Sequence, residues 1–215
     1  MKLGVFDSGI GGEAVAAALR ISFPNATVIT VNDRTNLPYG NKTPSEVIQF
    51  TNAAIQPLLK DACEVIILAC NTATALALET LRATYPQQKF IGIEPMIKTA
   101  AALTDTATIA VCATPATLQS ARYHELRATY GSGIRIIEPD CSTWAYMIEN
   151  NQVNQDNIEG TITDLCEQGA DVIVLGCTHY HWIKDDILAL TNGRAQVIEP
   201  SDAIGRQVEQ LLLED

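Results

Sequence analysis

Short apolar runs alternate along this chain with longer segments of helical periodicity, and that alternation is the signature of βαβ units. Residues 3–6 form the first predicted strand, and Asp7-Ser8-Gly9-Ile10-Gly11-Gly12 turns it into an alanine-rich helix over 13–20. Pro24-Asn25 breaks the chain ahead of a strand at 27–31, and a polar loop over 32–42 carries Pro38-Tyr39-Gly40. Thr43-Pro44-Ser45-Glu46 joins a capping residue, a proline at the first helical position and a glutamate at the third, so a helix is predicted from there to about residue 60. A short buried strand ending at Cys70 follows, then a strong helix over 73–83 and a strand over 90–93, closed by Glu94-Pro95.

The series then restarts. A strand at 109–112 leads through Ala113-Thr114-Pro115-Ala116-Thr117 into a helix reaching about residue 130, and a strand at 134–137 ends in Glu138-Pro139. Helical segments near 143–149 and 156–168 precede a second buried strand, which ends at Cys177. A strand at 197–198 closes in Glu199-Pro200, and the tail 201–213 reads as a capped amphipathic helix expected to cross back onto the first half.

The two cysteine strands are near copies: Glu64-Val65-Ile66-Ile67-Leu68-Ala69-Cys70-Asn71-Thr72 returns as Asp171-Val172-Ile173-Val174-Leu175-Gly176-Cys177-Thr178-His179. In each an acidic residue opens a branched apolar run, a small residue follows, and a cysteine closes it. Such runs read as fully buried strands of a parallel sheet, with the cysteine at the carboxyl end where open α/β sheets place ligands. The cysteines lie 107 positions apart, Ser8 and Thr114 lie 106 apart, and the Glu94-Pro95 and Glu199-Pro200 pairs lie 105 apart. One common offset predicts an α/β fold of two similar parallel-sheet half-domains related by pseudo-twofold symmetry. Their expected bounds are 1–97 plus 203–215 and 98–202, with the active site in the cleft between them.

Composition narrows the partners. The net charge of −11 disfavours nucleic acid and anionic membrane, and an anionic ligand must be met by local donors. No apolar run approaches the roughly 18 residues that a bilayer span needs, and the chain enters a strand without a signal-like segment, so a cytoplasmic location is expected. There the six cysteines stay reduced. Without a Cys-x-x-Cys, a zinc site or redox pair is not expected, and Cys63, Cys112, Cys141 and Cys166 read as core or near-surface fillers.

Two cysteines brought to one cleft suit a racemisation without cofactor. A base is needed on one side of a stereocentre and an acid on the other, and thiolate and thiol exchange those roles when the direction reverses. Cys70 stands just before a helix, whose amino terminus favours the anion, and His179 is placed to take or hold the proton of Cys177. Asp7, at the end of the first strand, orients a substrate ammonium or tunes Cys70; its plainer role is to cap the next helix. Ser8, Asn71, Thr72, Thr114, Thr117 and Thr178 lie at strand-to-helix turns on the same rim and offer donors for carboxylates, although each also serves as an ordinary cap. Two rival patterns are weaker. Gly9-x-Gly11-x-x-Ala14 with Asp33 nearly fits a dinucleotide fingerprint, but Asp7 would repel a pyrophosphate. Cys177-x-His179-x-His181 has metal-ligand spacing only on an extended chain, and no metal is expected.

The motifs Val5-Phe6-Asp7-Ser8-Gly9-Ile10-Gly11-Gly12, Leu37-Pro38-Tyr39-Gly40, Cys70-Asn71-Thr72-Ala73, Ala113-Thr114 with Thr117, and Gly176-Cys177-Thr178-His179-Tyr180 stand here in one order. With them the whole chain closely resembles the glutamate racemase family of the aspartate/glutamate racemase superfamily. The resemblance implies two α/β domains with a glutamate bound between them, and no cofactor. It implies that Cys70 and Cys177 are the acid/bases, each serving one enantiomer, with Asp7, His179 and Glu149 assisting. Pro38, Tyr39 and Gly40 join those residues and the turn donors in the substrate-binding shell. The family supplies D-glutamate for peptidoglycan, hence for cell-wall biogenesis and cell shape in bacteria. A homodimer is one assembly the resemblance admits. His181 stands where the family commonly has proline, Asp140-Cys141-Ser142 where Ala-Cys-Pro is usual, and Arg34 is unusual in its loop. The competing readings are a racemase for aspartate or another amino acid, and a ligand-binding relative without turnover.

Overall fold

The computed structural model describes residues 1–213, without the side chain of Asp202. The chain forms two compact units, Met1–Glu94 with the segment from Pro200 onward, and Pro95–Glu199. In the first, β1 (Lys2–Asp7), α1 (Gly12–Ser22), β2 (Thr27–Asn32), α2 (Pro44–Ala54), α3 (Gln56–Lys60), β3 (Val65–Leu68), α4 (Asn71–Thr84) and β4 (Lys89–Gly92) follow in order. The second runs through α5 (Ile97–Leu103), β5 (Thr108–Ala113), α6 (Pro115–Leu118), α7 (Ala121–Tyr130), β6 (Arg135–Ile137), α8 (Trp144–Glu149), α9 (Gln155–Glu167), β7 (Val172–Gly176), α10 (Lys184–Thr191) and β8 (Gln196–Ile198). The chain then returns to the first unit as α11 (Ser201–Leu213).

Each unit holds a four-stranded parallel sheet, in the orders β2-β1-β3-β4 and β6-β5-β7-β8. The two orders are the same topology, so β3 and β7, the strands that lead into the cysteines, occupy equivalent central positions. Successive side chains of a strand point to opposite faces, and here both faces are covered. Ile66 and Leu68 join Phe6 against Val47 of α2 and Ala73, Ala77 and Leu78 of α4. Val65 and Ile67 join Leu3 and Val5 against Val15, Ala16 and Leu19 of α1 and Ile204 and Val208 of α11. Each such fully buried aliphatic side chain stabilises the sheet by about 1.5–3 kcal/mol relative to exposure, which is why an uninterrupted apolar run is stable here and an alternating one is not needed. In the second unit Val172 and Val174 join Ile109 and Val111 against Ile97 and Ala100 of α5 and Tyr123 and Leu126 of α7.

The acidic residue that opens each cysteine strand has a structural duty. Glu64 accepts the Lys2 backbone N–H at 3.1 Å and so holds the start of β1. Asp171 accepts the backbone N–H groups of Asp105 and Thr106 at 2.7 and 2.8 Å, fixing the turn that leads into β5.

Two predicted helices are each broken. The segment from Thr43 keeps its capping box but ends at Ile55, because Pro57 has no N–H for the next intrahelical bond and α3 starts afresh. The segment after Thr114 divides into α6 and α7 because Ser120 turns out of the first and caps the second, accepting the Tyr123 N–H at 3.1 Å. α5 and α10 lie outside the expected elements, and a 3₁₀ helix at Thr178–Ile183 stands between β7 and α10.

Candidate active site

In the first unit the carboxyl ends of β1 and β3 bring together Asp7, Ser8 and Cys70. Cys70 is the residue before α4 and is 6% exposed; its Sγ lies 3.3 Å from the Ser8 Oγ. Burial, and then the Asp7 carboxylate, push the thiol up to about 11, against the opposing pull of Ser8 and the N–H groups of Ala73 and Thr72. That corrects the expectation from the helix amino terminus: its N–H groups do favour the thiolate, but desolvation outweighs them. Asp7 is fully buried and accepts the Gly9 N–H at 3.0 Å, a local turn bond; the expected capping role goes unfilled, because the cap position of α1 is Gly11, with no side-chain cap bond. A Cβ on Gly12 would stand 2.6 Å from that of Asp7, so α1 can start this close only because residue 12 is glycine.

Asn71 and Thr72, the first residues of α4, are both 3% exposed. The Asn71 amide nitrogen and oxygen are buried without a hydrogen-bond partner among the described residues, a costly arrangement that a polar ligand would relieve. Pro38, Tyr39 and Gly40 lie on the loop between β2 and α2, where the Tyr39 ring packs on Phe6 and Phe50 with centroids 6.2 and 6.4 Å away.

In the second unit Cys177 directly follows β7, is 7% exposed and leads into the 3₁₀ helix. Its Sγ lies 3.8 Å from His179 Nδ1, and His179 Nε2 lies 2.9 Å from a carboxylate oxygen of Glu149 at the end of α8. The His179 and Glu149 side chains are 4% and 9% exposed, so this thiol–imidazole–carboxylate series runs through a largely dry region. On the β5–α6 turn Thr114 and Thr117 join their hydroxyls at 3.0 Å, and Thr114 also accepts the Thr117 N–H. Thr178 is buried beside Cys177.

The rival patterns come apart in the structure. The Asp33 carboxylate, which a dinucleotide site would offer to a ribose, is taken by Asn36 and Tyr39. His181 turns to Glu199, with Nε2 3.6 Å from the carboxylate, while His179 turns to Glu149. Among the described residues no group of three or more His, Cys, Asp and Glu is placed to hold a metal ion. The Cys141 thiol is pushed far above its ordinary value by a hydrogen bond with Cys112 and by burial, as suits an inert core cysteine. No helix among the described residues is long and apolar enough to cross a membrane.

Twin parallel sheets with a polar-flanked cysteine after the third strand of each define a class of duplicated α/β proteins. Comparison with known proteins is specific. Residues 13–208 match the family model described as Asp/Glu/Hydantoin racemase. The glutamate racemase of Ectopseudomonas mendocina is 35% identical over 98% of this chain and 81% of its own length, and that of Sulfurovum sp. is 37% identical over 97% and 81%. Among solved structures, Escherichia coli glutamate racemase in complex with L-glutamate and the activator UDP-MurNAc-Ala superposes with a TM-score of 0.89, at 25% identity over 100% of this chain and 83% of that one. The Francisella tularensis enzyme in complex with D-glutamate gives 0.83, at 28% identity over 99% and 81%. The chain belongs to the Asp/Glu/Hydantoin racemase family. Its activity is that of an amino-acid racemase, an isomerase.

Proposed function

We propose that this racemase interconverts L- and D-glutamate without a cofactor, through Cys70 and Cys177 as paired acid and base. One observation carries the reading: each repeat ends its central strand in a buried thiol with its own polar partners, Asp7 and Ser8 for one and His179 backed by Glu149 for the other. The relatives named above are glutamate racemases, and solved ones hold L- or D-glutamate, which favours that amino acid as substrate.

The free enzyme keeps Cys70 protonated at neutral pH, since its thiol titrates near 11. Cys177, beside an imidazole that a carboxylate orients, is the thiol equipped to be the base. From L-glutamate, His179 first takes the thiol proton of Cys177. The Cys177 thiolate then takes the Cα proton, leaving the electron pair on Cα, and Cys70 gives its thiol proton to the opposite face of that carbanion, so that D-glutamate and a Cys70 thiolate result. From D-glutamate the order reverses, and a substrate ammonium beside Asp7 offsets the carboxylate that holds the Cys70 thiolate back. Asn71, Thr72, Thr114, Thr117 and Thr178, with Ser8 and the Pro38-Tyr39-Gly40 loop, take the carboxylates and amine. The product is the D-glutamate of bacterial peptidoglycan, made in the cytoplasm.

A circular-dichroism time course with each enantiomer of glutamate, repeated with aspartate, tests the proposal. The expected result is decay of both glutamate signals to zero at rates well above those for aspartate. A steady signal, or a preference for aspartate, refutes it.

A further inference from the structure

The Pro38-Tyr39-Gly40 loop is tied to the reacting end of β1 through a single residue outside the shell already described. Asp33, immediately past β2, donates its backbone N–H to the Asp7 carbonyl at 3.0 Å. Its carboxylate accepts the Tyr39 hydroxyl at 2.7 Å, and both carboxylate oxygens accept from the Asn36 amide, at 3.0 and 2.9 Å. The Asn36 backbone N–H closes the turn onto the Asp33 carbonyl at 3.3 Å. Tyr39, 2% exposed, belongs to the same buried cluster as Cys70. The Tyr39 hydroxyl proton is therefore committed to Asp33, and the acid ties down the loop.

We propose that Asp33 is a positioning residue of this racemase, fixing the Pro38-Tyr39-Gly40 loop in register with Asp7 so that the loop meets substrate in its binding conformation. The inference rests on the glutamate-racemase reading. The chemistry favours an acid at this position. A charged acceptor holds a phenol roughly twice as firmly as a neutral one, and Asn36 leaves the carboxylate only one arrangement. A loop fixed before binding spares the ligand the ordering entropy, which appears as a lower KM and not as a faster chemical step.

The test is steady-state kinetics of Asp33→Asn, Tyr39→Phe and their double variant with both glutamate enantiomers, beside thermal melts. Asp33→Asn is expected to raise KM about tenfold for each enantiomer, with kcat held within about threefold. Tyr39→Phe should do the same, and the double variant should be no worse than the poorer single, because both break one bond. Asn36→Ala, a milder change, should raise KM about threefold and serves if Asp33→Asn does not fold. An unchanged KM in the folded variants, with only the melting temperature lowered, overturns the proposal; so does simple additivity in the double variant. Wild-type protein that fails to racemise glutamate overturns the functional reading itself, and this proposal with it.

Discussion

Glu149→Gln separates the roles of the two thiols. The substitution keeps the side-chain shape at His179 and removes its charge, across a 2.9 Å contact between side chains that are 4% and 9% exposed. A hydrogen bond to a charged group in such a setting contributes about 1.5–3 kcal/mol, and it matters most when the imidazole is charged by the proton of Cys177. That range corresponds to a fall of about 10–150-fold in kcat/KM. Racemisation cannot reveal which half is affected: enantiomers are equal in energy in water, the equilibrium constant is unity, and kcat/KM must fall equally in both directions. One-sided chemistry does reveal it. With 3-chloroglutamate, removal of the Cα proton expels chloride from Cβ, and the resulting enamine hydrolyses to 2-oxoglutarate and ammonia. Only the first thiol is used. Ammonia release from the L form should slow by about 10–150-fold in Glu149→Gln, and that from the D form should stay within about threefold. Equal slowing of both, or greater slowing of the D form, refutes the assignment of His179 and Glu149 to Cys177.

Cys70→Ser and Cys177→Ser should each cut racemisation roughly 10²–10⁴-fold in both directions, since a hydroxyl is a far weaker acid than a thiol; polarimetry with either enantiomer checks it. Near-native turnover by either variant would end the two-thiol mechanism. The raised Cys70 thiol also sets an alkaline limit: between its ordinary value near 9 and about 11 the folded protein retains a proton that the unfolded chain releases. Stability present below that window is therefore lost as pH rises through it, by about 2–3 kcal/mol, and denaturant titrations of Cys70→Ser should show the loss much reduced. Gly92→Ala should destabilise by about 1–3 kcal/mol, because its Cβ would strike Thr74 Cγ2 and come 2.8 Å from Leu78 Cδ2. Thr74 cannot retreat, since its hydroxyl bridges the Leu68 carbonyl and the Ile93 N–H; a urea midpoint equal to wild type would contradict this.

What was legible in the chain followed from local chemistry. Val65–Leu68 and Val172–Gly176 read correctly as fully buried strands of a parallel sheet because a strand covered on both faces has no room for polar residues. The breaks at Ile55 and Ser120 were harder, since Pro57 and Ser120 sit inside helical periodicity and only the observed chain direction shows where each helix stops. The Glu149–His179 contact joins residues 30 positions apart and has no local signature; family resemblance names the two residues, but only the structure pairs them. Cys70 departs from what its sequence position suggests for the complementary reason: a helix amino terminus is visible in sequence, whereas the burial that outweighs it is tertiary. In the sequence Asp33 stands out only within a dinucleotide-like pattern that the charge of Asp7 argues against, because its partners Asn36 and Tyr39 look like ordinary loop residues.

The return of α11 to the first unit has a consequence for how the chain is made. Pro95–Glu199 is one continuous stretch, and every one of its strands is synthesised before α11. The unit whose strands emerge first must therefore wait. Until Ile204 and Val208 arrive, the apolar face formed by Val15, Ala16, Leu19, Ile91 and Ile93 lacks its cover. Its sheet hydrogen bonds can form during that interval, but one side of its core stays wet and adhesive, the condition in which nascent chains recruit chaperones or one another. Birth order and completion order are thus opposite in this protein: the half begun first is finished last.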